Sequence, residues 1–514
     1  MNQFSWPIDG SIVGCYLLAT MIAGVMVRKY VGKVEHFLVA GREMNVYLGI
    51  ASLAATEFGV VTCMYTAQNG FQKGFAGVTP GILMAAAMWF VGWTGFCIKP
   101  LRDAGVITIP ELFEKQYGPR IRWLSGVVIV LGGLLNMGVF LRTGGDFLVG
   151  VCGFDPDYLE EAMTLLLLLV ATYTILGGML SVLVTDFLQF VVMSAGLLVV
   201  TVYLLATLGW NPIVAAVAEQ RGPGAFNPFR HPDMGWDYVL FNAVANLAVA
   251  LTWQTVVVRV LSARDAATGR KIYTRTSFFF VCRFLLPGLW GMAALATLDP
   301  ATLHGLVPPD QAAAMSESQL QDRISLMAMP HLLSTVIPVG LTGLLVAAML
   351  AADMSTDASY MLTWGGVIYN DILAPFRRGR WPEKLGILVN RMIVALIGVF
   401  LLVYGLWYQL EGDLWTYLLV TGSIYLSSTS VLLVACCYWK RANNWGAAGA
   451  ILFGAAIPVA YLVMEKVPAT AGFARWVGKD IAGLATFAAA AAAMVLLSLL
   501  KDQLVGRPAA GDRT

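Results

Sequence analysis

The strongest candidate for binding chemistry is a polar stretch at residues 351–359, inside an otherwise apolar segment. Hydroxyl oxygens are neutral, hard ligands, so they suit a small, hard cation better than a metal that prefers nitrogen or sulfur. Serine and threonine in membrane helices also bond to carbonyls of their own helix, which leaves a purely structural interpretation open. At about 100° per residue, one helix face carries Ala352, Ser355, Thr356 and Ser359.

Two acidic residues accompany this face. Asp353 and Asp357 are four residues apart and lie about 120° round the same helix. A charge at the centre of a bilayer costs about 2.5–3.5 kcal/mol on insertion scales, so we expect each carboxylate to have a structural or functional role that offsets this cost. They could carry protons, pair with another group or adjust the affinity of the neighbouring face, and the sequence does not distinguish these roles.

A second polar interruption lies at residues 54–62. Threonine, glutamate and glycine together weaken the middle of a helix, and we expect an unwound turn that frees carbonyls from Ala55 to Phe58. Free carbonyls are tolerated at membrane depth only where they line a cavity or bind a ligand. The alternative for Glu57 is a simple pairing with a neighbouring group.

Other ionisable side chains lie inside apolar segments. Asp186 follows Thr185 near the predicted cytoplasmic end of its helix and could begin that helix or anchor a loop. Arg142 and Asp146, four residues apart, are expected to satisfy each other, in preference to Arg142 binding a substrate carboxylate. Arg283 is expected to extend its charge to the inner membrane surface.

Polar residues that could contact a solute give conflicting indications. Glu57 and the hydroxyl-rich stretch at 421–425 favour a hydroxylated or amine-bearing solute, whereas Arg142 favours a carboxylate. Asparagine and glutamine also serve as packing groups in membrane helices, which gives Asn246 a structural alternative. The candidate solute-binding residues are Glu57, Gln68, Arg142, Asn246 and Tyr425.

The elements that must position these residues follow from the composition. The chain has 514 residues, of which 58% are hydrophobic and 12% are charged. An ordinary soluble domain carries about 25% charged residues. Apolar runs of about 20 residues recur along the chain, and each can cross a hydrocarbon layer about 30 Å thick. These features predict an all-α, polytopic membrane protein.

Hydropathy predicts about thirteen transmembrane helices. Most are apolar on all sides, as expected of helices in lipid. They lie near 9–27, 44–69, 76–97, 122–150, 158–177, 179–209, 236–258, 273–297, 331–360, 386–408, 414–438, 445–464 and 480–500.

The distribution of lysine and arginine predicts the orientation. With the N-terminus outside, about 24 of the 33 basic residues lie in the inner segments, including the cluster Arg377-Arg378-Gly379-Arg380. Cytoplasmic connections carry such an excess of positive charge. We therefore expect a multi-pass protein of the plasma (inner) membrane, with the N-terminus outside and the C-terminus cytoplasmic.

The topology also permits an inverted repeat. Two five-helix blocks begin on opposite sides of the membrane, and transporters built in this way place their binding site near the bilayer midplane. No sequence similarity between the blocks is evident, so the topology alone supports this division. The predicted segments are 1–43 (first helix and inner loop), 44–209 (first repeat), 210–235 (outer loop), 236–438 (second repeat), 439–500 (two C-terminal helices) and 501–514 (cytoplasmic tail).

Several classes of function lack support in the sequence. The net charge of +2 does not favour a nucleic-acid partner. The seven cysteines and four histidines show no spacing typical of metal ligands. The GxxxxGK[ST], HExxH and GxSxG motifs do not occur, so neither ATP-driven pumping nor an intramembrane enzyme is indicated. We expect no enzymatic activity and no cofactor.

Five sequence features together resemble the sodium/solute symporters, the family that includes sodium–glucose and sodium–proline transporters. The most specific is a Gly177-Gly178 turn followed by Thr185-Asp186 and Gln189. The resemblance covers about residues 8–440. The other four features are the stretches 35–42, 109–118, 253–259 and 354–356.

By position, the resemblance implies a sodium site shared by the interrupted helix and the later polar helix. Some members hold a second sodium ion with an aspartate that matches Asp186 and hydroxyls one turn further on. Ser359 is retained here as a second-site candidate, but Ala358 replaces one expected hydroxyl. The implied ligands of the shared site are the carbonyls of Ala55, Phe58 and Ala352 and the hydroxyls of Ser355 and Thr356.

The resemblance implies sodium-coupled secondary active symport of a small organic solute into the cell by alternating access. Its partners would be the solute, the sodium ion and the lipid bilayer, and the sequence does not indicate the oligomeric state. Two alternatives remain open, a proton-coupled solute permease and a transporter-like membrane sensor of a solute.

Overall fold

The computed structural model describes residues 4–30, 32–376, 381–408 and 414–505. Over these residues the backbone forms helices joined by short turns, apart from an isolated β-bridge between Met44 and Ala263. The basic cluster at 377–380 and the tail beyond residue 505 lie outside the described ranges. The protein is therefore all-α over its described length, as predicted.

The helices are numbered in chain order. In the first half of the chain they are α1 Asp9–Val27, α2 Val34–Val39, α3 Val46–Thr56, α4 Val60–Lys73, α5 Thr79–Thr94, α6 Ile98–Asp103, α7 Ile109–Tyr117, α8 Pro119–Met137, α9 Phe140–Cys152, α10 Leu159–Leu208, α11 Trp210–Arg221, α12 Trp236–Thr252 and α13 Gln254–Ser262. In the second half they are α14 Ala266–Thr297, α15 Pro300–His304, α16 Pro309–Ala314, α17 Glu317–Val336, α18 Leu341–Val367, α19 Glu383–Trp407, α20 Leu414–Tyr438, α21 Asn444–Lys466, α22 Pro468–Val477 and α23 Lys479–Leu504.

Eleven helical segments of the described chain are long and apolar enough to cross a membrane. Two of them each contain two spans, because Val60–Thr94 includes a 3₁₀ turn at Gly74–Val78 and Leu159–Leu208 is interrupted at Gly178. A continuous helix of 50 residues would extend about 75 Å, far beyond a hydrocarbon core of about 30 Å. Dividing both segments gives thirteen spans, which agrees with the prediction.

Gly178 ends the first half of α10 through a backbone conformation that other residues rarely adopt. Its φ of 55° and ψ of −152° fall outside the helical region. A Cβ at this position would also lie 2.6 Å from the ring of Phe37. Only glycine combines the positive φ with so close an approach, so the predicted Gly-Gly turn separates two spans.

Several predicted boundaries are wrong. Helix α14 begins at Ala266, before the predicted residue 273, and α18 ends at Val367, after the predicted residue 360. The span predicted at 331–360 begins at Leu341, and residues 331–336 belong to the preceding helix α17. Pro338 and Gly340 separate the two helices, because proline lacks an N–H donor and Gly340 has a φ of 89°. At the other end of the chain, α23 continues to Leu504, past the predicted start of the tail at Lys501.

Among the described residues, three spans are divided between two shorter helices. The backbone leaves the helical region at Glu57–Gly59 and at Trp253, whereas it stays near that region at Gly138–Val139. Non-helical backbone at membrane depth requires burial in protein or a cavity. All three breaks lie within the interior of the bundle, since Phe58, Val139 and Trp253 are buried. The breaks therefore mark the region where a binding site can exist.

Helix α18 runs through the centre of this interior. Each of its residues from Leu345 to Val367 is buried, and α1, α3, α9, α10 and α19 pack around it. A membrane helix in contact with lipid exposes one side, so α18 has little or no lipid contact. Its polar face is consequently directed at other helices.

Asp9, at the start of α1, attaches that helix to the beginning of α18. Its Oδ1 accepts hydrogen bonds from the backbone N–H groups of Gly340 and Gly343, both at 2.7 Å. Its Oδ2 accepts a third from the N–H of Ser5 at 2.8 Å. A carboxylate at a helix N-terminus satisfies free donors and the helix dipole together.

We expect Asp9→Ala to lower the free energy of unfolding by about 1–3 kcal/mol, because buried N–H donors lose their acceptor. Thermal or chemical unfolding of the detergent-purified protein measures the change. Ser11→Ala is the matched control, since the Ser11 hydroxyl is exposed and bonds only to the nearby Pro7 carbonyl at 2.5 Å. Equal effects of the two variants would contradict this role of Asp9.

Candidate functional site

The interruption predicted in the second span lies between α3 and α4. Helix α3 ends at Thr56, and the N–H of Glu57 is shared between the carbonyls of Leu53 and Ala55. Gly59 is extended, with a φ of −92° and a ψ of 172°, and α4 begins at Val60. The carbonyls that follow Leu53 thus lose their regular helical partners, and the interruption lies where the sequence indicated.

The hydroxyl face of α18 packs directly against this interruption. The Thr356 hydroxyl donates to the carbonyl of Thr56 at 2.9 Å, and the hydroxyls of Thr56 and Ser359 are 2.9 Å apart. A Cβ on Gly59 would lie 2.8 Å from Thr356 Oγ1, so glycine is required for this approach. The structure therefore brings residues 55–58 beside residues 352–359, although 300 residues separate them in sequence.

Asp186 lies behind the same contact and neither begins a helix nor anchors a loop. Its side chain is fully buried within α10. The hydroxyls of Ser355 and Ser52 donate to its two carboxylate oxygens, each at 2.5 Å. The carboxylate also pairs with Arg259 at 3.2 Å. Asp186 thus connects α3, α10, α13 and α18 at one point.

Arg259 is a central residue that the sequence did not identify as a candidate site residue. Its side chain is completely buried, at 0% exposure. Besides the pair with Asp186, its guanidinium donates to the hydroxyls of Ser52 at 3.1 Å and Ser359 at 2.7 Å. It also donates to the hydroxyl of Thr56. The signal that could have revealed it is its place at the end of the 253–259 motif.

A cavity opens beside the interruption. Thr56, Glu57, Gly59 and Thr356 form part of its wall, so it adjoins the contact between α3 and α18. The aromatic part of the wall consists of Tyr65, Phe140, Trp253, Phe284, Tyr360 and Trp415.

One ion pair lines the cavity. Arg283 Nη1 lies 3.4 Å from Glu57 Oε2, and Arg283 Nη2 donates to the Tyr65 hydroxyl at 2.7 Å. Thr255 donates to the other carboxylate oxygen of Glu57 at 2.7 Å. Arg283 therefore points into the bundle and does not extend to the inner surface as expected. Glu57 therefore pairs with a neighbouring group, Arg283, which was the alternative interpretation of this residue. Its side chain also lines the cavity.

Comparison with known proteins agrees with this geometry. The family model described as "Sodium:solute symporter family" matches residues 37–454. The chain belongs to the sodium:solute symporter family. It is thus a multi-pass membrane protein from a family of sodium cotransporters rather than of enzymes.

The individual relatives share little sequence identity with this symporter, but they align with most of its length. Sodium/glucose cotransporter 4 of Danio rerio is 27% identical over 500 residues, which is 90% of this chain and 72% of the relative. Sodium/myo-inositol cotransporter 2 of Homo sapiens is 26% identical over 504 residues, or 90% and 70%. The substrate-bound, outward-open structure of a Na⁺-coupled sialic acid symporter matches with a TM-score of 0.77 and 18% identity, covering 96% of this chain and 97% of that one.

The candidate solute-binding residues of the symporter fall into two groups. Glu57 and Asn246 line the cavity, but the other three do not. Gln68 donates to the carbonyl of Asp322 at 2.9 Å and so ties α4 to α17. Arg142 donates to the carbonyl of Gly405 at 3.1 Å. Tyr425 lies behind the wall, where its ring stacks on Trp253 at 5.7 Å.

Two further expectations about ionisable groups have clear outcomes. The pairing of Arg142 with Asp146 is wrong, because Asp146 pairs with Arg323 of α17 at 3.2 Å. Spacing along one helix could not reveal this partner from a distant helix. Asp353 and Asp357 are both buried, and Asp353 Oδ2 and both oxygens of Asp357 have no hydrogen-bond partner among the described residues.

The Glu57–Arg283 pair gives a prediction about stability. We expect Glu57→Gln and Arg283→Gln each to cost about 3–5 kcal/mol, because each leaves one buried charge uncompensated. The double variant should cost less than the sum of the two, since it leaves neither charge. A double-mutant cycle on unfolding in detergent measures this coupling.

The control for this cycle is Asp103→Asn on α6, which removes an exposed pair with Lys99 at 3.2 Å. A solvent-exposed pair contributes at most about 1 kcal/mol, so this variant should be nearly neutral. Additive costs for Glu57→Gln and Arg283→Gln would contradict a direct ionic interaction between them.

Proposed function

We propose that the protein imports a small organic solute together with Na⁺ by alternating between outward and inward openings. The observation that carries this proposal is the contact between the interrupted α3–α4 span and the hydroxyl face of α18. Family membership supports sodium coupling, and the adjoining cavity offers a place for the solute. Energy would come from the sodium gradient and the membrane potential, which is worth about 2.3 kcal/mol per charge for each 100 mV.

The proposed sodium site lies at this contact. Its ligands are the carbonyls of Ala55, Phe58 and Ala352 and the hydroxyls of Ser355 and Thr356. The Thr356 and Ser355 hydrogens point to Thr56 and Asp186, which leaves oxygen lone pairs free for a cation. Neutral and hard oxygens of this kind suit Na⁺.

The proposed solute site is the aromatic cavity. Because Glu57 and Arg283 neutralise each other, the cavity has no net charge from this pair, and it favours an uncharged solute with several hydroxyl groups. Aromatic walls with a few polar groups are typical of such sites. The named substrates of the relatives, glucose and myo-inositol, have this chemistry.

We expect sodium binding and solute binding to be coupled, because the two proposed sites share residues. Glu57, Gly59 and Thr356 belong to the cavity wall and lie at or next to the proposed sodium ligands. A sodium ion that holds the break against α18 would also fix this wall. The binding of two ligands is coupled when both stabilise the same conformation. A ligand that binds both conformations equally well does not change the equilibrium between them.

The proposal includes the predicted arrangement in the membrane. The N-terminus lies outside and the C-terminus in the cytoplasm of a cell whose plasma (inner) membrane holds the protein. The two five-helix repeats are 44–209 and 236–438, which places the interruption in the first helix of the first repeat and α18 in the second repeat. The sodium site then lies between the repeats near the bilayer midplane.

Sodium affinity provides a direct measurement at this site. Thermal stabilisation of the purified protein by NaCl, against equal KCl, reports Na⁺ binding without knowledge of the solute. We expect Thr356→Ala and Ser355→Ala each to raise the half-saturating sodium concentration about tenfold, which corresponds to about 1.4 kcal/mol for one lost ligand. Thr172→Ala is the control, since this exposed hydroxyl bonds only to the Leu168 carbonyl of its own helix. Unchanged half-saturation in both site variants would remove this assignment.

Transport itself is tested in proteoliposomes with labelled D-glucose and myo-inositol. A sodium gradient and a proton gradient are imposed separately. Uptake driven by sodium supports the proposal, whereas uptake driven by protons alone supports a proton-coupled permease. Solute binding that never leads to uptake under either gradient supports a sensor.

A further inference from the structure

We propose that a groove along α23 binds one phospholipid, with the ammonium of its headgroup at Asp480 and its phosphate at Lys479. The lipid is one whose headgroup carries a primary ammonium, as in phosphatidylethanolamine. The groove lies apart from the sodium contact and the aromatic cavity, so the inference does not rest on the proposed function. In the proposed orientation, the lipid belongs to the outer leaflet.

The α23 groove consists of two cavities on one face of that helix. Both lie between α23 and the helices α12 and α20, which pack against it. Asp480 and Gly483 line the cavity near the start of α23, whereas Phe487, Ala491 and Val495 line the other cavity. Residues three or four apart share a helix face, so the two cavities follow a single stripe of α23.

Asp480 provides a buried negative charge in this groove. Its residue is 9% exposed, and among the described residues its Oδ1 has no hydrogen-bond partner. It lies in the first turn of α23, where the helix dipole favours a negative charge but leaves the oxygen without a donor. A buried charge without a partner is costly. A primary ammonium would supply both the opposite charge and the missing N–H donors.

Lys479 provides a positive charge at the mouth of the same cavity. Its side chain is exposed, and its Nζ donates to the hydroxyl of Thr416 at 2.8 Å. Thr416 also lines the cavity. Lysine is a common ligand of phosphate groups. Because a short ethylene linker joins the phosphate and the ammonium of phosphatidylethanolamine, two adjacent residues of opposite charge can bind both ends of its headgroup.

Exposed tryptophans place this pair of charges at the depth of lipid headgroups. Trp236 begins α12, Trp407 ends α19 and Trp476 lies near the end of α22, and all three side chains are strongly exposed. Tryptophan is enriched at the interface between membrane and water. Asp480 follows Trp476 closely in the chain, so its carboxylate lies at the level where a headgroup would meet it.

The remainder of the groove suits a hydrocarbon tail. The stripe of α23 from Asp480 to Val495 extends about 22 Å along the helix axis. That length exceeds half of a hydrocarbon core about 30 Å thick, so an acyl chain from one leaflet fits along it. The facing wall is almost entirely apolar and includes Val244, Leu247 and Leu251 of α12 and Val431 and Val434 of α20.

Lipid binding is measured by the thermal stability of the purified, delipidated full-length protein in detergent. Phosphatidylethanolamine, phosphatidylcholine and phosphatidylglycerol with identical acyl chains are titrated separately, in KCl without sodium. We expect the half-saturating concentration of phosphatidylethanolamine to be about tenfold below that of phosphatidylcholine, whose quaternary ammonium has no N–H donor. Phosphatidylglycerol should bind more weakly than phosphatidylethanolamine, because it brings a negative charge without an ammonium.

Three variants test the two parts of the groove. Asp480→Asn should remove the preference for phosphatidylethanolamine over phosphatidylcholine. Asp237→Asn is the matched control, since Asp237 is an exposed acid in the first turn of α12 and does not line the groove, and it should keep the preference. Ala491→Phe narrows the apolar part, so it should weaken the binding of all three lipids and leave their order unchanged.

Several outcomes would overturn this inference. They are equal half-saturation by phosphatidylethanolamine and phosphatidylcholine in the wild type, and a preference that persists in Asp480→Asn. Equal stabilisation by soluble glycerophosphoethanolamine would show that the groove binds a free amine and not a lipid. If Asp480→Asn does not purify as a monodisperse species, the wild-type preference and Ala491→Phe decide, since unchanged lipid affinity in Ala491→Phe is contradictory. The absence of sodium keeps these results independent of the proposed function.

Discussion

The contact between an interrupted helix and the hydroxyl face of α18 is the constraint on which the rest of the structure depends. Backbone groups released at Glu57–Gly59 lie at membrane depth, where water cannot satisfy them. Thr356 satisfies one of them directly, through the carbonyl of Thr56. Because neither element can be stable there alone, α3, α4 and α18 must pack together, and Gly59 permits the required distance.

Two buried ion pairs lie on either side of this contact. Glu57 pairs with Arg283 at the cavity, and Asp186 pairs with Arg259 behind the hydroxyl face. Helix α13 joins the two, because Thr255 donates to Glu57 and its carbonyl accepts from Arg259. A change in the conformation of the interruption therefore affects both pairs, which gives a physical route from the interruption to the shape of the cavity. Removing one partner of such a buried pair is strongly destabilising, because it leaves an uncompensated charge.

Periodicity along one helix was a good guide to residues that share a face and a poor guide to partners on other helices. The grouping of Ser355, Thr356 and Ser359 and the break after Thr56 were both predicted. Arg142 and Asp146 were matched by spacing, yet each is bound by a different helix. Arg283 was expected at the membrane surface, but a buried carboxylate and the Tyr65 hydroxyl hold it inside. Sequence distance carries no information about which charges meet across a bundle.

The sequence by itself determined the all-α membrane architecture, the number of spans and the breaks near Glu57 and at Gly178. These properties follow from hydropathy and from local backbone preferences, which act over a few residues. Tertiary structure alone decided that Arg259 meets Asp186 and Ser359, that Gln68 and Tyr425 lie outside the cavity, and that Glu57 is neutralised by Arg283. These outcomes depend on how separate helices pack, and in a low-dielectric interior that packing determines which charges must be paired.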